Sequence, residues 1–209
     1  MIQPDEVGVG LVPTPVSTQG KEVAMPQDYH QFIKKILIPA DVLQNRIAEL
    51  GAEISRDYAG TSLLLVCILR GGVIFLSDLI RHISVPVSVE FMAISSYGKG
   101  ARSSDGHIRV TLDLGSDICD QNVLIVEDII DSGHTLQSVM ELLGARRPKT
   151  LQICTLLDKV ERREVEVPVR YRGFEIPNEF VFGYGLDIDE FYRNLPFIGA
   201  VDLEKLKTS

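Results

Sequence analysis

Hydrophobic positions along the chain change period in an orderly way. Leu43, Ile47, Leu50, Ile54 and Tyr58 recur every three or four residues, one stripe of an amphipathic helix. Thr61–Leu69 is a continuous, partly β-branched apolar run, the pattern of a strand buried on both faces. Arg70-Gly71-Gly72 interrupts it, and the VIFLSDLIRHI segment that follows predicts a mostly buried helix. Val87–Ile94 alternates as a further strand, 95–106 reads as a polar, glycine-containing lid loop, and 107–113 predicts a return strand. Val123–Val126 is another buried strand; Leu136, Val139, Met140 and Leu143 mark a helix face, and Leu151–Leu157 a last strand. Strand–helix alternation of this kind predicts an α/β fold with a mainly parallel sheet flanked by helices. Ligands of such sheets bind beyond the carboxyl ends of the strands, which directs attention to Arg70-Gly71, to Glu127–Thr135 and to Asp158-Lys159.

Residues 1–28 follow neither period. Pro4, Pro13, Pro15 and Pro26 and three glycines predict a flexible or extended arm ahead of one domain over residues 29–209. The chain's 21 Lys and Arg against 29 Asp and Glu give a net charge of −8. That balance argues against nucleic acid or an anionic membrane as partner, since both need a basic surface. A small polyanion is still admissible, because a few local cations, amides or a metal ion suffice to hold it. The longest apolar run, Leu63–Leu69, is far too short for a membrane span, and the N-terminus lacks a signal-peptide pattern. Cys67, Cys119 and Cys154 form no CxxC pair; two of them lie in apolar runs, which predicts buried thiols and a reducing cytosol.

Chemistry concentrates in Val123-Leu-Ile-Val-Glu-Asp-Ile-Ile-Asp-Ser-Gly-His-Thr135. An apolar strand delivers two adjacent carboxylates, Glu127 and Asp128, at its end. Asp131 follows, and then Ser132, Gly133 and Thr135 lead into a helix. Hydroxyls beside free amides at a helix N-terminus suit a phosphate. The carboxylates suit sugar hydroxyls or a metal ion. A ribose phosphate carries both kinds of group. There is no Walker A pattern and no GxGxxG after a strand, so kinase and dinucleotide readings lack support.

This segment resembles the phosphoribosyl-pyrophosphate-binding motif of the type I phosphoribosyltransferases. Over roughly residues 30–205 the chain is similar to the hypoxanthine-guanine phosphoribosyltransferases. The likeness is carried further by Leu69-Arg70-Gly71-Gly72, Ser95-Ser96-Tyr97, Leu156-Leu157-Asp158-Lys159 and Gly173-Phe174-Glu175-Ile176-Pro177. It extends through Phe180-Val181-Phe182-Gly183-Tyr184-Gly185-Leu186-Asp187 and Glu190-Phe191-Tyr192-Arg193 to Asn194.

The resemblance implies Mg²⁺-dependent transfer of 5-phosphoribose to N9 of hypoxanthine or guanine in purine salvage, and a small hood built from about 30–40 and 165–205. It implies that Glu127 and Asp128 hold the ribose hydroxyls, that Asp131 is the general base near purine N7, and that Ser132, Gly133, His134 and Thr135 cradle the 5′-phosphate, His134 through its backbone alone. Arg70, Gly71 and Arg193 would bind pyrophosphate, with a non-proline cis bond in the Arg70–Gly71 region. Lys159 would donate to the 6-oxo group, Phe180 would stack on the base and Val181 would read its edge. Asp187 would hold Mg²⁺, with Glu127 and Asp128 as further metal ligands, and Ser96 and Tyr97 would sit on the lid. A homodimer or homotetramer follows by the same resemblance.

Many relatives have Lys where Arg70 stands. A xanthine preference is the nearest rival, because one or two pocket groups decide base choice. A nucleic-acid-binding regulator on the same fold would drop the base and gain a basic face, whereas this chain keeps Asp131 and Lys159 and is acidic. Elsewhere, His30, His82 and His107 lack metal-ligand spacing, and 187–190 lacks the glycine of a calcium loop. Arg162-Arg163 reads as a solvated turn or subunit contact, and Lys99 and Arg102 as solvated lid charges.

Overall fold

Each period in the sequence becomes an element of the computed structural model, which describes residues 28–96 and 108–207. In chain order these are β1 (Ile33–Ile38), α1 (Ala40–Asp57), β2 (Leu63–Leu69), α2 (Gly72–Leu79), β3 (Val87–Ser96), β4 (Ile108–Leu112) and β5 (Asn122–Ile130). They continue with α3 (His134–Gly144), β6 (Thr150–Asp158), β7 (Tyr171–Glu175), β8 (Val181–Phe182), β9 (Ile198–Val201) and α4 (Leu203–Lys207).

Six strands form one sheet in the order β4-β3-β2-β5-β6-β7, all parallel except the β4 edge. The buried strands are apolar on successive residues because both faces are covered. Leu63, Leu65 and Cys67 of β2, with Leu124 and Val126 of β5, pack against the α1 stripe and against Phe75 and Leu79 of α2. Leu64, Val66, Val123 and Ile125 face the other way, onto Leu136, Val139 and Leu143 of α3. Cys67 and Cys154 are buried thiols, and burial pushes Cys67 up to about 12, so it is inert at neutral pH. Cys119 is only half-buried.

The strand expected to stop at Val126 runs on to Ile130. β6 lies beside it in parallel register from Asn122↔Thr150 to Ile130↔Asp158, so the ladder continues past the acids. Glu127 and Asp128 therefore sit inside the strand rather than at its end. A second sheet, β1-β9-β8, is antiparallel and joins chain segments more than 140 residues apart. Phe32, Phe182, Ile188 and Val201 form its own small core. The 165–205 stretch divides between the two sheets, since β7 pairs with β6 while β8 and β9 join β1. Of the arm expected over 1–28, residues 1–27 lie outside the described residues; of the loop expected over 95–106, residues 95–96 continue β3 and the rest lies outside them. Among the described residues, no helix is long and apolar enough to cross a membrane.

Candidate active site

The carboxyl ends of β2, β5 and β6 place three short segments side by side. The first is Arg70-Gly71, after β2 and before the N-terminus of α2; the Leu69–Arg70 peptide is cis. A Cβ at position 71 would collide with the Asp128 carboxylate, and one at Gly185, where φ is +100°, would collide with the Gly71 carbonyl. Two glycines thus let the β2 loop, the β5 acids and the 183–193 loop stack in direct contact.

Asp128 is only 8% exposed, and its Oδ1 accepts from the Ile129 N–H at 2.7 Å. Burial holds its carboxyl up at about 6, against the pull of that N–H. Glu127 is raised well above the carboxylate range by burial, with the Asp128 charge adding to it. Its buried Oε2 finds no hydrogen-bond donor among the described residues. A buried carboxylate oxygen without a donor is costly, so the pair is arranged for something that donates to it or carries positive charge.

Next along β5's exit comes the loop of Asp131, Ser132 and Gly133, followed by α3. Gly133 has φ +92° at the helix N-cap, a left-handed conformation that brings the first α3 amides round to one side. The loop is fastened from outside, because the Glu164 N–H donates to the Ser132 carbonyl at 2.9 Å. His134 turns its ring outward to Glu164 at 3.0 Å, and Thr135 is exposed.

Beside this loop opens a pocket of about 870 Å³ lined by Asp131, Lys159, Arg162, Phe180, Val181 and Asp187, among others. Lys159 is 5% exposed; its Nζ lies 3.7 Å from Asp131 Oδ1. Burial depresses the Lys159 amine, Asp131 opposes that, and the Arg162 charge adds to it. Arg162 Nε approaches the same Asp131 oxygen at 3.0 Å. Phe180 presents an exposed ring at the rim, whereas Val181 is buried in β8. Arg193, in the 183–193 loop, pairs with Asp187 at 2.8 Å and with Glu190 at 3.1 Å, and Glu190 reaches Arg70 at 3.0 Å. Ser96 closes β3 opposite Ile108, and Tyr97 lies outside the described residues.

Comparison with known proteins gives this arrangement a family. Residues 40–189 match the family model described as the phosphoribosyl transferase domain. The hypoxanthine phosphoribosyltransferase of Salmonella typhimurium is 52% identical over 171 residues, covering 81% of this chain and 96% of that protein. The chain belongs to the hypoxanthine-guanine phosphoribosyltransferase family. The Mycobacterium avium hypoxanthine-guanine phosphoribosyltransferase is 49% identical, covering 83% of this chain and 88% of its own. Among solved structures, a Staphylococcus aureus hypoxanthine phosphoribosyltransferase superposes with a TM-score of 0.81 at 46% identity, covering 84% of this chain and 95% of that one.

Within this phosphoribosyltransferase, the structure gives carboxylate partners to Arg162 and Arg163, which were expected in a solvated turn or a subunit contact. Arg162 is no free surface charge: the 3-10 turn Val160–Arg162 carries it back to the Asp131 side of Lys159. An i, i+3 spacing after a site lysine was the available signal, since such residues eclipse in a 3-10 turn. Arg163 is not solvated either. It grips the fully buried Asp158 with two bonds at 2.9 and 2.7 Å, and Arg172 reaches the same carboxylate at 2.6 Å. The sequence offered no local cue for that pairing.

Proposed function

We infer that this protein transfers the 5-phosphoribosyl group of phosphoribosyl pyrophosphate to N9 of hypoxanthine or guanine, giving IMP or GMP and pyrophosphate, a purine-salvage reaction. One juxtaposition carries the reading: a pocket roomy enough for a purine, holding Lys159, Phe180 and Asp131, opens directly beside an amide loop suited to phosphate. Lys159 is a buried cation whose ammonium can donate to a 6-oxo oxygen; a 6-amino group would offer it only competing donors. Phe180 supplies an exposed ring face for stacking on the base, and the Val181 backbone reads its edge. Asp131 stands between the purine end and the phosphate loop, where a carboxylate is placed to accept the proton that the purine must lose. Ser132 to Thr135 hold the 5′-phosphate through amides and hydroxyls. Arg70 and Arg193 offer guanidinium forks to the leaving pyrophosphate.

The donor-less Oε2 of Glu127 bears directly on the ribose and on a metal. Ribose hydroxyls would donate to the Glu127–Asp128 pair, and a cation would relieve its buried charge. Among the described residues no three His, Cys, Asp or Glu side chains gather into a ready-made metal site. That fits Mg²⁺, which takes one or two carboxylates and completes its shell with water and substrate phosphate oxygens. Asp187 on one side, or the Glu127–Asp128 pair on the other, would supply those one or two carboxylates. When bound, Mg²⁺ supplies charge neutralisation to the departing diphosphate.

The same reading includes action in the cytosol, which free, buried Cys67 and Cys154 support, and self-association as a dimer or tetramer. Val73, exposed in the first turn of α2 just after Arg70-Gly71, is an apolar side chain suited to such a contact. Sedimentation would decide the stoichiometry. Incubating the protein with phosphoribosyl pyrophosphate, Mg²⁺ and, in turn, hypoxanthine, guanine, xanthine and adenine tests the function. Nucleotide should form from the first two, and formation from none would end the enzyme reading.

A further inference from the structure

The two arginines assigned to pyrophosphate already share a partner within the protein. Arg70 Nη2 lies 3.0 Å from Glu190 Oε1, and Arg193 Nη2 lies 3.1 Å from Glu190 Oε2. One carboxylate therefore spans guanidinium groups brought from the end of β2 and from the 183–193 loop.

Glu190 is held in place by its backbone. Its N–H donates to Asp187 Oδ2 at 2.8 Å. Its φ is +75°, next to Asp189 at +50° and two residues before Tyr192 at +70°, a cluster of left-handed conformations rare for residues other than glycine. Such a cluster persists only where surrounding contacts determine it, and here they do. Gly185 N–H donates to the Arg193 carbonyl at 2.9 Å, Arg193 Nη1 donates to the Gly185 carbonyl at 2.7 Å, and the Tyr184 hydroxyl anchors the loop on Asp78 of α2.

A carboxylate presents two oxygens to a guanidinium in the way a phosphate does. Glu190 thus offers Arg70 and Arg193 what two oxygens of a diphosphate would offer them. Building on the transferase reading above, we propose that Glu190 is an intramolecular competitor of pyrophosphate. It satisfies Arg70 and Arg193 before the diphosphate arrives and re-forms both ion pairs as pyrophosphate departs. Binding then has to break both Glu190 ion pairs, besides competing with Asp187 for Arg193, and bring a polyanion close to the Glu190 carboxylate, so affinity is reduced and release is favoured. A scaffolding role for Glu190, or a role as metal ligand, predicts the opposite sign.

The test is calorimetric titration of Mg²⁺-pyrophosphate into the full-length wild type and into Glu190→Gln, which keeps the side chain's shape and removes its charge. Exposed ion pairs are individually weak, so Kd should fall about three- to tenfold in the variant. The product-inhibition constant for pyrophosphate should fall in step, while KM for hypoxanthine stays level. In an Arg70→Met background the gain from Glu190→Gln should shrink, because one of the two pairs is already gone. An unchanged or weaker pyrophosphate affinity in Glu190→Gln overturns the proposal. Should wild type form no IMP from hypoxanthine, the transferase reading fails by a separate assay, and the ratio of pyrophosphate affinities still judges Glu190.

Discussion

Replacing Lys159 by Met tests the purine pocket with the least disturbance of its shape. The side chain is 5% exposed and its ammonium sits 3.7 Å from Asp131. Met fills similar volume without charge, and Asp131 retains Arg162 at 3.0 Å. What would disappear is the proposed charge-assisted hydrogen bond from a buried ammonium to the 6-oxo group. Such bonds contribute about 1.5–3 kcal/mol, which is roughly a 10- to 150-fold rise in KM for hypoxanthine. KM for phosphoribosyl pyrophosphate should move far less, and the preference for 6-oxo over 6-amino bases should narrow.

Stability should shift the other way. Burial, with Arg162, depresses the Lys159 amine below its unfolded value, so the unfolded chain binds its proton more tightly than the folded one. Folding therefore works against that charge at neutral pH, and Lys159→Met should unfold at higher denaturant concentration. Steady-state kinetics with both substrates and a urea titration suffice. Equal loss toward both substrates, or an unchanged KM for hypoxanthine, would refute the assigned role.

Three further outcomes are expected. Asp131→Asn should lower kcat by about 10²–10⁴-fold while IMP binding, followed by titration, largely survives; turnover near wild type would remove the general base. Gly71→Ala drives a methyl into the Asp128 carboxylate, so urea unfolding should show a loss of about 1–3 kcal/mol along with impaired use of phosphoribosyl pyrophosphate, and a silent substitution would contradict the packing. The third concerns pH in chelator-treated protein. Glu127 and Asp128 are raised by burial, Asp128 to about 6. The folded state therefore keeps protons that the unfolded state releases, and the pair's contribution is fullest below the unfolded values and is lost as pH rises through about 6. Glu127→Gln should flatten the difference in urea midpoint between pH 5 and pH 7.5, and an unaltered difference would count against the coupled pair.

Most of the larger sheet was legible because its strands and helices announce themselves locally. Leu43 to Tyr58 and Leu63 to Leu69 carry their period within a single element. The apolar run stops at Val126 because Glu127 and Asp128 interrupt it, whereas the continuation of β5 to Ile130 rests on pairing with β6, a property of the neighbouring strand. The β1-β9-β8 sheet could be placed only by resemblance, since its contacts join residues 33–38 to 198–201. In the site, Asp131, Lys159 and the 132–135 loop lie within recognisable runs. Arg162 on Asp131 and Glu190 across Arg70 and Arg193 depend on turns that bring charges together in space. The Asp158 pair with Arg163 likewise closes across a loop, and no spacing in the sequence marks it.

The proposed function has one pocket read the purine at Lys159 and Phe180 while the adjoining loop takes the phosphate. A crystal structure of the protein with IMP tests it most directly. The 6-oxo oxygen should lie within hydrogen-bond distance of Lys159 Nζ, with the base stacked on Phe180, N7 facing Asp131 and the 5′-phosphate on the Ser132–Thr135 amides. IMP bound with its base away from Lys159, or its phosphate off that loop, would contradict these assignments.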